Sequence, residues 1–242
     1  MAQVRAFLAP AVIVLSFVLL AVLAIAASMV TGSGDPAHRV GRIWARIALR
    51  AAGVKVRVGG RGHIPRGEPV VFACNHASQF DIPVVYAALP VQFRFLVKKE
   101  LFRIPLFGLA MRRTGYIPVD RAGGKAALRS LEEAAARIRE GTSVVIFPEG
   151  TRSPDGRLRP FKAGGILLAV KAGCRVVPVA VSGSHRILPK GTLKVRSGEV
   201  RVGIGPAVNT VREGGRSRSK DDVAMDVWNA IAAMLEEENR PA

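Results

Sequence analysis

A chain of 242 residues, 49% hydrophobic, is too apolar for a disordered protein and long enough for one large domain with a small appendage. Two cysteines and four histidines exclude a disulfide scaffold and argue against a histidine-rich metal centre. The net charge of +18 requires an electropositive face suited to nucleic acid, anionic headgroups or a phosphorylated substrate, and an aromatic content of 6% is modest for stacking on bases.

From Phe7 to Val30 there is no charged residue, a run of 24 positions. A helix of that length rises roughly 36 Å, enough to cross a hydrocarbon core of ~30 Å. A cleaved signal peptide is the competing reading, with Ala26-Ala27-Ser28 as a cleavage-like site. Only Arg5 precedes the run, however, and the run exceeds a usual signal core, which favours retention. After a turn at Gly32 to Pro36, Arg39, Arg42, Arg46 and Arg50 recur every three or four residues. Val40, Ile43, Trp44 and Ile47 form the apolar face of the same helix. This pattern predicts a basic amphipathic helix at a membrane interface, with a helix packed on its own domain as the alternative. Basic residues just after the apolar run place the following domain on the cytoplasmic side of a cell membrane. A two-helix hairpin dipping into one leaflet fits equally well. Residues 1–52 are therefore expected to anchor the chain and residues 53–242 to form the main domain.

Past residue 53, β-rich runs alternate with helical ones. Strands are expected at 54–58, 70–73, 93–97, 117–118, 144–147, 176–181, 194–196 and 199–204. Helices are expected at 78–88, 105–112, 125–139, 161–172 and 221–238. The third has Leu128, Leu131, Ala135 and Ile138 on one stripe and Gly141 at its close. Continuous apolar strands interleaved with helices indicate an α/β fold, a mixed, largely parallel central sheet flanked by helices.

Two segments carry chemistry. In Asn75-His76-Ala77-Ser78-Gln79-Phe80-Asp81, a neutral-range base and a carboxylate stand five residues apart. Five helical residues turn through roughly 500°, so the two meet only if His76 lies in a loop and Asp81 just inside the next helix. Ser78 or Asn75 would organise that entry. Asp81 then holds one imidazole nitrogen and leaves the other as a base, which is a triad without its nucleophile. A substrate hydroxyl would complete it; a purely structural His-Asp bond is the alternative. Ser78 lacks the glycine-flanked elbow of a catalytic serine.

The second segment is Phe147-Pro148-Glu149-Gly150-Thr151-Arg152-Ser153, after an apolar strand whose carboxyl end would face the crevice of an α/β sheet. Gly150 permits close backbone approach, Arg152 offers a forked donor to phosphate, and Glu149 suits a cation or a substrate hydroxyl. Taken alone, the segment is equally a salt-bridged turn. Lys98 and Arg121, each after a strand, are placed to reach a second anionic group. Leu101, Phe102, Ile104, Leu106 and Phe107 are apolar cover suited to an acyl chain, whereas Lys99 and Arg103 read as solvated.

With these residues laid out, the chain resembles the glycerolipid acyltransferases, specifically the 1-acylglycerol-3-phosphate acyltransferases. Their first motif, Asn-His-x-x-x-x-Asp, is matched by Asn75, His76 and Asp81. Their second is matched by Lys98, Leu101, Pro105 and Gly108, then Gly115 and Arg121. The third stands intact from Phe147 to Ser153, and the fourth, a strand carrying proline, matches Val176-Val177-Pro178-Val179-Ala180. The resemblance covers about residues 54 to 205, with the motifs in order.

The resemblance implies that His76 is the general base and Asp81 orients it. Lys98, Arg121, Glu149, Gly150 and Arg152 would bind the acceptor. The partners implied are membrane phospholipids, lysophosphatidic acid, and acyl-CoA or acyl-carrier protein as donor, with no metal, no cofactor and no nucleic acid. Acceptors such as glycerol 3-phosphate or another lysolipid remain open. So does a non-catalytic protein that binds anionic membranes through its arginine row.

Overall fold

The computed structural model describes residues 2–120 and 124–241. Arg121 lies outside them. A 30-residue helix α1 (Ala2–Thr31) and the shorter α2 (Asp35–Ala52) precede a seven-stranded sheet. The sheet comprises β1 (Val54–Gly59), β2 (Val71–Cys74), β3 (Arg94–Lys98), β4 (Ile117–Val119), β5 (Val144–Ile146), β6 (Val176–Ser182) and β7 (Gly198–Ile204). Helices α3 (Asp81–Ala88), α4 (Pro105–Thr114), α5 (Gly124–Arg139), α6 (Ala163–Ala172), the single turn α7 (Ser184–Ile187) and α8 (Lys220–Met234) connect or follow the strands.

The strand order is β1-β7-β6-β2-β5-β3-β4, parallel throughout except where β6 meets β7. The expected mixed, largely parallel sheet is present. Its centre is β2, with Phe72 opposite Val177 of β6 on one side and Val145 of β5 on the other. The loops leaving β6, β2 and β5 therefore emerge side by side at one end of the sheet, where open α/β sheets place their ligands. Pro178 is tolerated in this central position because its carbonyl accepts from Gly205 N at 2.9 Å, just past β7. The missing proline N–H falls between the β6–β7 ladder and the Val176–Val208 bridge, where the antiparallel register slips by one residue.

Alternate strand residues enter two cores. Phe72, Cys74, Phe95, Val177, Val179 and Val181 pack toward α2 and α3, whereas Val71, Ala73, Val144, Ile146, Val176 and Ala180 pack toward α5, α6 and α8. Such continuous apolar strands are the signature of a sheet covered on both faces. Two expectations differ. The strand expected at 194–196 does not form, because 192–197 is an irregular loop tied by Arg196 N to Ile187 O at 2.8 Å. The last helix starts at the cap Ser219, whose hydroxyl accepts from Asp221 N, but ends at Met234, short of 238. There the chain turns inward, with Glu236 N donating to Ser182 Oγ at 3.1 Å.

The N-terminal helices depart from a free-standing anchor. Ala45, Leu49 and Ala52 of α2 lie in the same core as the sheet, so a cut at residue 52 passes through shared packing. Arg42, expected in an exposed arginine row, is half-buried and donates to Val91 O, which leaves Arg39, Arg46 and Arg50 exposed. Ile43, expected on the packed apolar face, is 45% exposed. Helix α1 is the one described helix long and apolar enough to cross a membrane. It is nevertheless docked along its length: Trp44 Nε1 donates to Ile13 O at 3.2 Å, Phe17 meets Trp44 and Phe107, and Ala24 packs with Ala37 and Val40.

The packing of α2 gives a direct expectation. Leu49→Ala should lower the free energy of unfolding by about 2–5 kcal/mol, as for other core leucines. Ile43→Ala should change it by no more than about 0.5 kcal/mol. Denaturant unfolding in detergent micelles distinguishes them; equal effects would mean that α2 is not part of the core.

Candidate active site

Three loops meet at the carboxyl ends of the central strands. The first follows β2. Asn75 acts there as an extra rung of sheet: its Nδ2 donates to Val181 O at 2.9 Å, and Val181 N donates to its Oδ1 at 2.7 Å. This double bond fixes where the chain leaves β2, one residue before His76. Helix α3 begins at Asp81, so the histidine is in the loop and the aspartate in the first helical position. That is the arrangement the five-residue spacing requires.

Asp81 is fully buried, and its Oδ2 collects three donors: His76 Nδ1 at 2.7 Å, Ala77 N at 2.8 Å and Ser78 N at 2.9 Å. One oxygen thus closes the loop and orients the ring. With Nδ1–H directed at Asp81, the neutral imidazole presents Nε2 as its basic nitrogen. The His76 side chain is 15% exposed and stacks on Phe147, with centroids 4.0 Å apart and planes 20° apart. The Ser78 hydroxyl donates to Leu188 O at 2.8 Å and accepts from Phe80 N at 3.1 Å, so it organises the helix entry and is committed away from nucleophilic chemistry.

The second loop follows β5. Glu149, expected to meet a cation or a substrate hydroxyl, is buried, and both its oxygens take backbone amides: His76 N at 2.6 Å and Arg159 N at 3.3 Å. It braces the histidine loop against its own loop. Ser153 N adds a second tie by donating to His76 O at 2.8 Å. Gly150 has φ +74°, and a Cβ there would lie 2.9 Å from Lys162 Cδ, so a side chain would be strained in backbone and crowded against Lys162. Arg152 is half-buried, and its guanidinium has no hydrogen bond or ion pair among the described residues, while its carbonyl accepts from Lys190 Nζ at 2.9 Å.

At the end of β3, Lys98 is exposed and lies 3.8 Å from Glu100. Lys99, read as solvated, is ion-paired with Asp120. The structure thus brings His76, Asp81, Glu149, Gly150 and Arg152 into one cluster, with Lys98 two strands away beyond β5. Sequence reasoning missed the stacking of Phe147, the bracing role of Glu149, and the approach of Lys162 and Lys190. Only the first had a signal in the chain, an aromatic residue at a strand end beside a motif.

Burial pushes the Glu149 carboxyl up to about 8, while its two amide hydrogen bonds pull the other way. A carboxyl with a raised folded-state value binds its proton more tightly when folded. Its contribution to stability is complete below about 4.5 and is lost as pH rises toward 8. Glu149→Gln cannot ionise and should lack this loss. From about pH 5 to 8, wild-type stability should therefore fall relative to the variant by up to about 1.4 kcal/mol per pH unit. Denaturant midpoints across that range test this, and parallel pH profiles would rule it out.

Comparison with known proteins places this geometry. Residues 55–182 match the family described as Acyltransferase. The chain is 33% identical over 190 residues to the 1-acyl-sn-glycerol-3-phosphate acyltransferase of Pseudomonas aeruginosa, covering 76% of this chain and 73% of that one. It is 35% identical over 167 residues to chloroplastic proteins of the same description from Brassica napus and Arabidopsis thaliana, covering 68% of this chain. The match spans only 48% and 46% of those two relatives. The fold is shared with the crystal structure of the 1-acyl-sn-glycerophosphate acyltransferase of Thermotoga maritima, at a TM-score of 0.78, 24% identity, and coverage of 97% of this chain and 98% of that one.

Proposed function

The chain belongs to the Acyltransferase family, and from that premise we propose that it transfers a fatty acyl group from acyl-CoA or acyl-carrier protein to the free hydroxyl of 1-acylglycerol 3-phosphate, giving phosphatidic acid. The observation that carries this reading is His76 with Nδ1 held by Asp81, Nε2 left as the base, and no enzyme nucleophile within the loop. A base so placed is suited to take the proton of a substrate hydroxyl.

His76 Nε2 takes the proton as the acceptor oxygen attacks the thioester carbonyl. The tetrahedral adduct collapses with cleavage of the carbon–sulfur bond, and the imidazolium returns the proton to the departing thiolate. Asp81 stabilises the imidazolium between these events without itself taking a proton. Arg152, whose guanidinium has no hydrogen bond or ion pair among the described residues, meets the acceptor phosphate in this reading, with Lys98 and Arg121 as further acceptor-binding cations. The names borne by the relatives from Pseudomonas aeruginosa and the two plants support lysophosphatidic acid as acceptor.

His76→Ala should keep its fold and lose about 10²–10⁴-fold in transfer of labelled acyl groups. Arg152→Ala should raise the KM for lysophosphatidic acid roughly tenfold or more, with a smaller effect on the donor. Near-normal turnover by the histidine variant would remove the proposed base. Equal use of monoacylglycerol and lysophosphatidic acid would remove the phosphate site.

The same reading puts the domain at the cytoplasmic surface of the cell membrane, with α1 lying in the interface. The packing of α1 against Trp44 and Phe107 supports a helix that lies in the interface beside the domain. Leu15, Leu19 and Val22 are exposed at i, i+4 and i+7, an outward apolar stripe. Leu15→Glu with Leu19→Glu should abolish flotation with phospholipid vesicles while the thermal transition is retained. Undiminished flotation would mean that this stripe is not the anchor.

A further inference from the structure

The chain's last turn enters the site from beyond the family match, which ends at residue 182. Asn239 follows α8 in a short 3-10 turn (Glu237–Asn239) and is 1% exposed, unusual for a polar side chain three residues from the end. All of its polar groups are used. Its Oδ1 accepts from Gly183 N at 3.1 Å, at the exit of β6. Its Nδ2 donates to Gly156 O at 2.9 Å and meets His185 Nδ1 at 3.2 Å. Its carbonyl accepts from Leu158 N at 3.0 Å, and its own N donates to Glu236 O at 2.9 Å.

Gly156 and Leu158 belong to the loop that begins at Glu149 and carries Arg152. Asn239 therefore holds the far end of that loop by two bonds, while Ser153 N on His76 O holds the near end. Next to Leu158, Arg159 N closes onto Glu149 Oε2, and Glu149 Oε1 holds His76 N. An unbroken path of hydrogen bonds and adjacent residues runs from the C-terminal turn to the backbone of the base. The fit at Gly156 is close: φ is +85°, and a Cβ there would lie 2.5 Å from the His185 ring. Burial holds His185 below the ordinary histidine range, which keeps its ring neutral and suits Nδ1 to accept from Asn239.

We propose that Asn239 is a positioning residue: its buried amide latches the loop 153–159 to the exit of β6 and thereby sets the place of Arg152 opposite the acceptor. This inference rests on the acceptor-phosphate reading of Arg152 for its kinetic consequence, but not for its structural one. The latch acts on loop placement, so its loss falls on acceptor binding more than on the donor.

The test uses the full chain in detergent micelles and three variants. Asn239→Ala removes both halves of the amide. Asn239→Asp keeps an acceptor for Gly183 N but sets an oxygen against Gly156 O. Leu235→Ala removes a buried core contact of the same C-terminal segment and no side-chain hydrogen bond. Both Asn239 variants should speed amide hydrogen exchange in peptides spanning 150–160 and raise the KM for lysophosphatidic acid about tenfold, the scale of one lost buried hydrogen bond, with the donor KM within about twofold. Leu235→Ala should lower the melting temperature while leaving exchange in 150–160 and the acceptor KM near wild type. Unchanged loop exchange in Asn239→Ala, or recovery of wild-type exchange and acceptor KM in Asn239→Asp, overturns the latch. If the wild type transfers no acyl group to any glycerolipid acceptor, the proposed function falls, and the exchange comparison still decides the latch.

Discussion

Asp81 Oδ2 accepts an imidazole N–H and two backbone amides at 2.7, 2.8 and 2.9 Å, and the site is arranged around that oxygen. A carboxylate taken fully out of water is costly unless its charge is met by donors, and here all three come from the loop it must shape. The requirement works in both directions. The amides of Ala77 and Ser78 turn inward toward the carboxylate, and the carboxylate in turn fixes the course of the loop that supplies them. The result is a loop whose curvature, tautomer and exposed nitrogen are set together. The Ser78 hydroxyl is committed to Leu188 O in the same turn.

That loop would still have no fixed relation to an acceptor site without the sheet. Because β2 lies between β5 and β6, the loop carrying His76 has the Glu149–Arg152 loop on one side and the Gly183 turn on the other. Each side is tied by hydrogen bonds that engage the backbone: Val181 N and O by the Asn75 side chain, His76 N by the Glu149 carboxyl, and His76 O by Ser153 N. Backbone ties hold atoms to within the tolerance that proton transfer needs, whereas long exposed side chains do not. Arg152 has its carbonyl held by Lys190, while its guanidinium has no hydrogen bond or ion pair among the described residues.

The N-terminal region follows a different logic. The small residues Ala21, Ala24, Ala37, Ala45, Ala48 and Ala52 are buried and let two helices and the sheet approach closely, while α1 keeps large apolar residues on its outer side. Helix α2 thus serves both the core and the surface. Its alanines and Leu49 face inward, and Arg39, Arg46 and Arg50 remain outward where anionic headgroups would lie.

Much of this was written in local sequence. Short apolar runs, which form strands 3 to 7 residues long, interleaved with helical stripes determined the α/β class, since helices on both faces bury such strands. The spacing of His76 and Asp81 determined that they meet across a loop-to-helix junction, because a helix would have parted them. Other features depend on partners distant in the chain. Glu149 reads in sequence as a ligand-binding carboxylate, and it becomes a brace only because β5 lies beside β2 and brings the His76 amide to it. The apolar face chosen for α2 was displaced because packing on α1 and α3 favours the small side chains over Ile43. The segment 194–196 has strand-like residues, but the sheet offers it no partner. Asn239 carries no local signal at all: a polar residue near the end of a chain acquires meaning only when the fold closes around it, because hydrogen bonding over long sequence separation is a property of the assembled sheet and its loops.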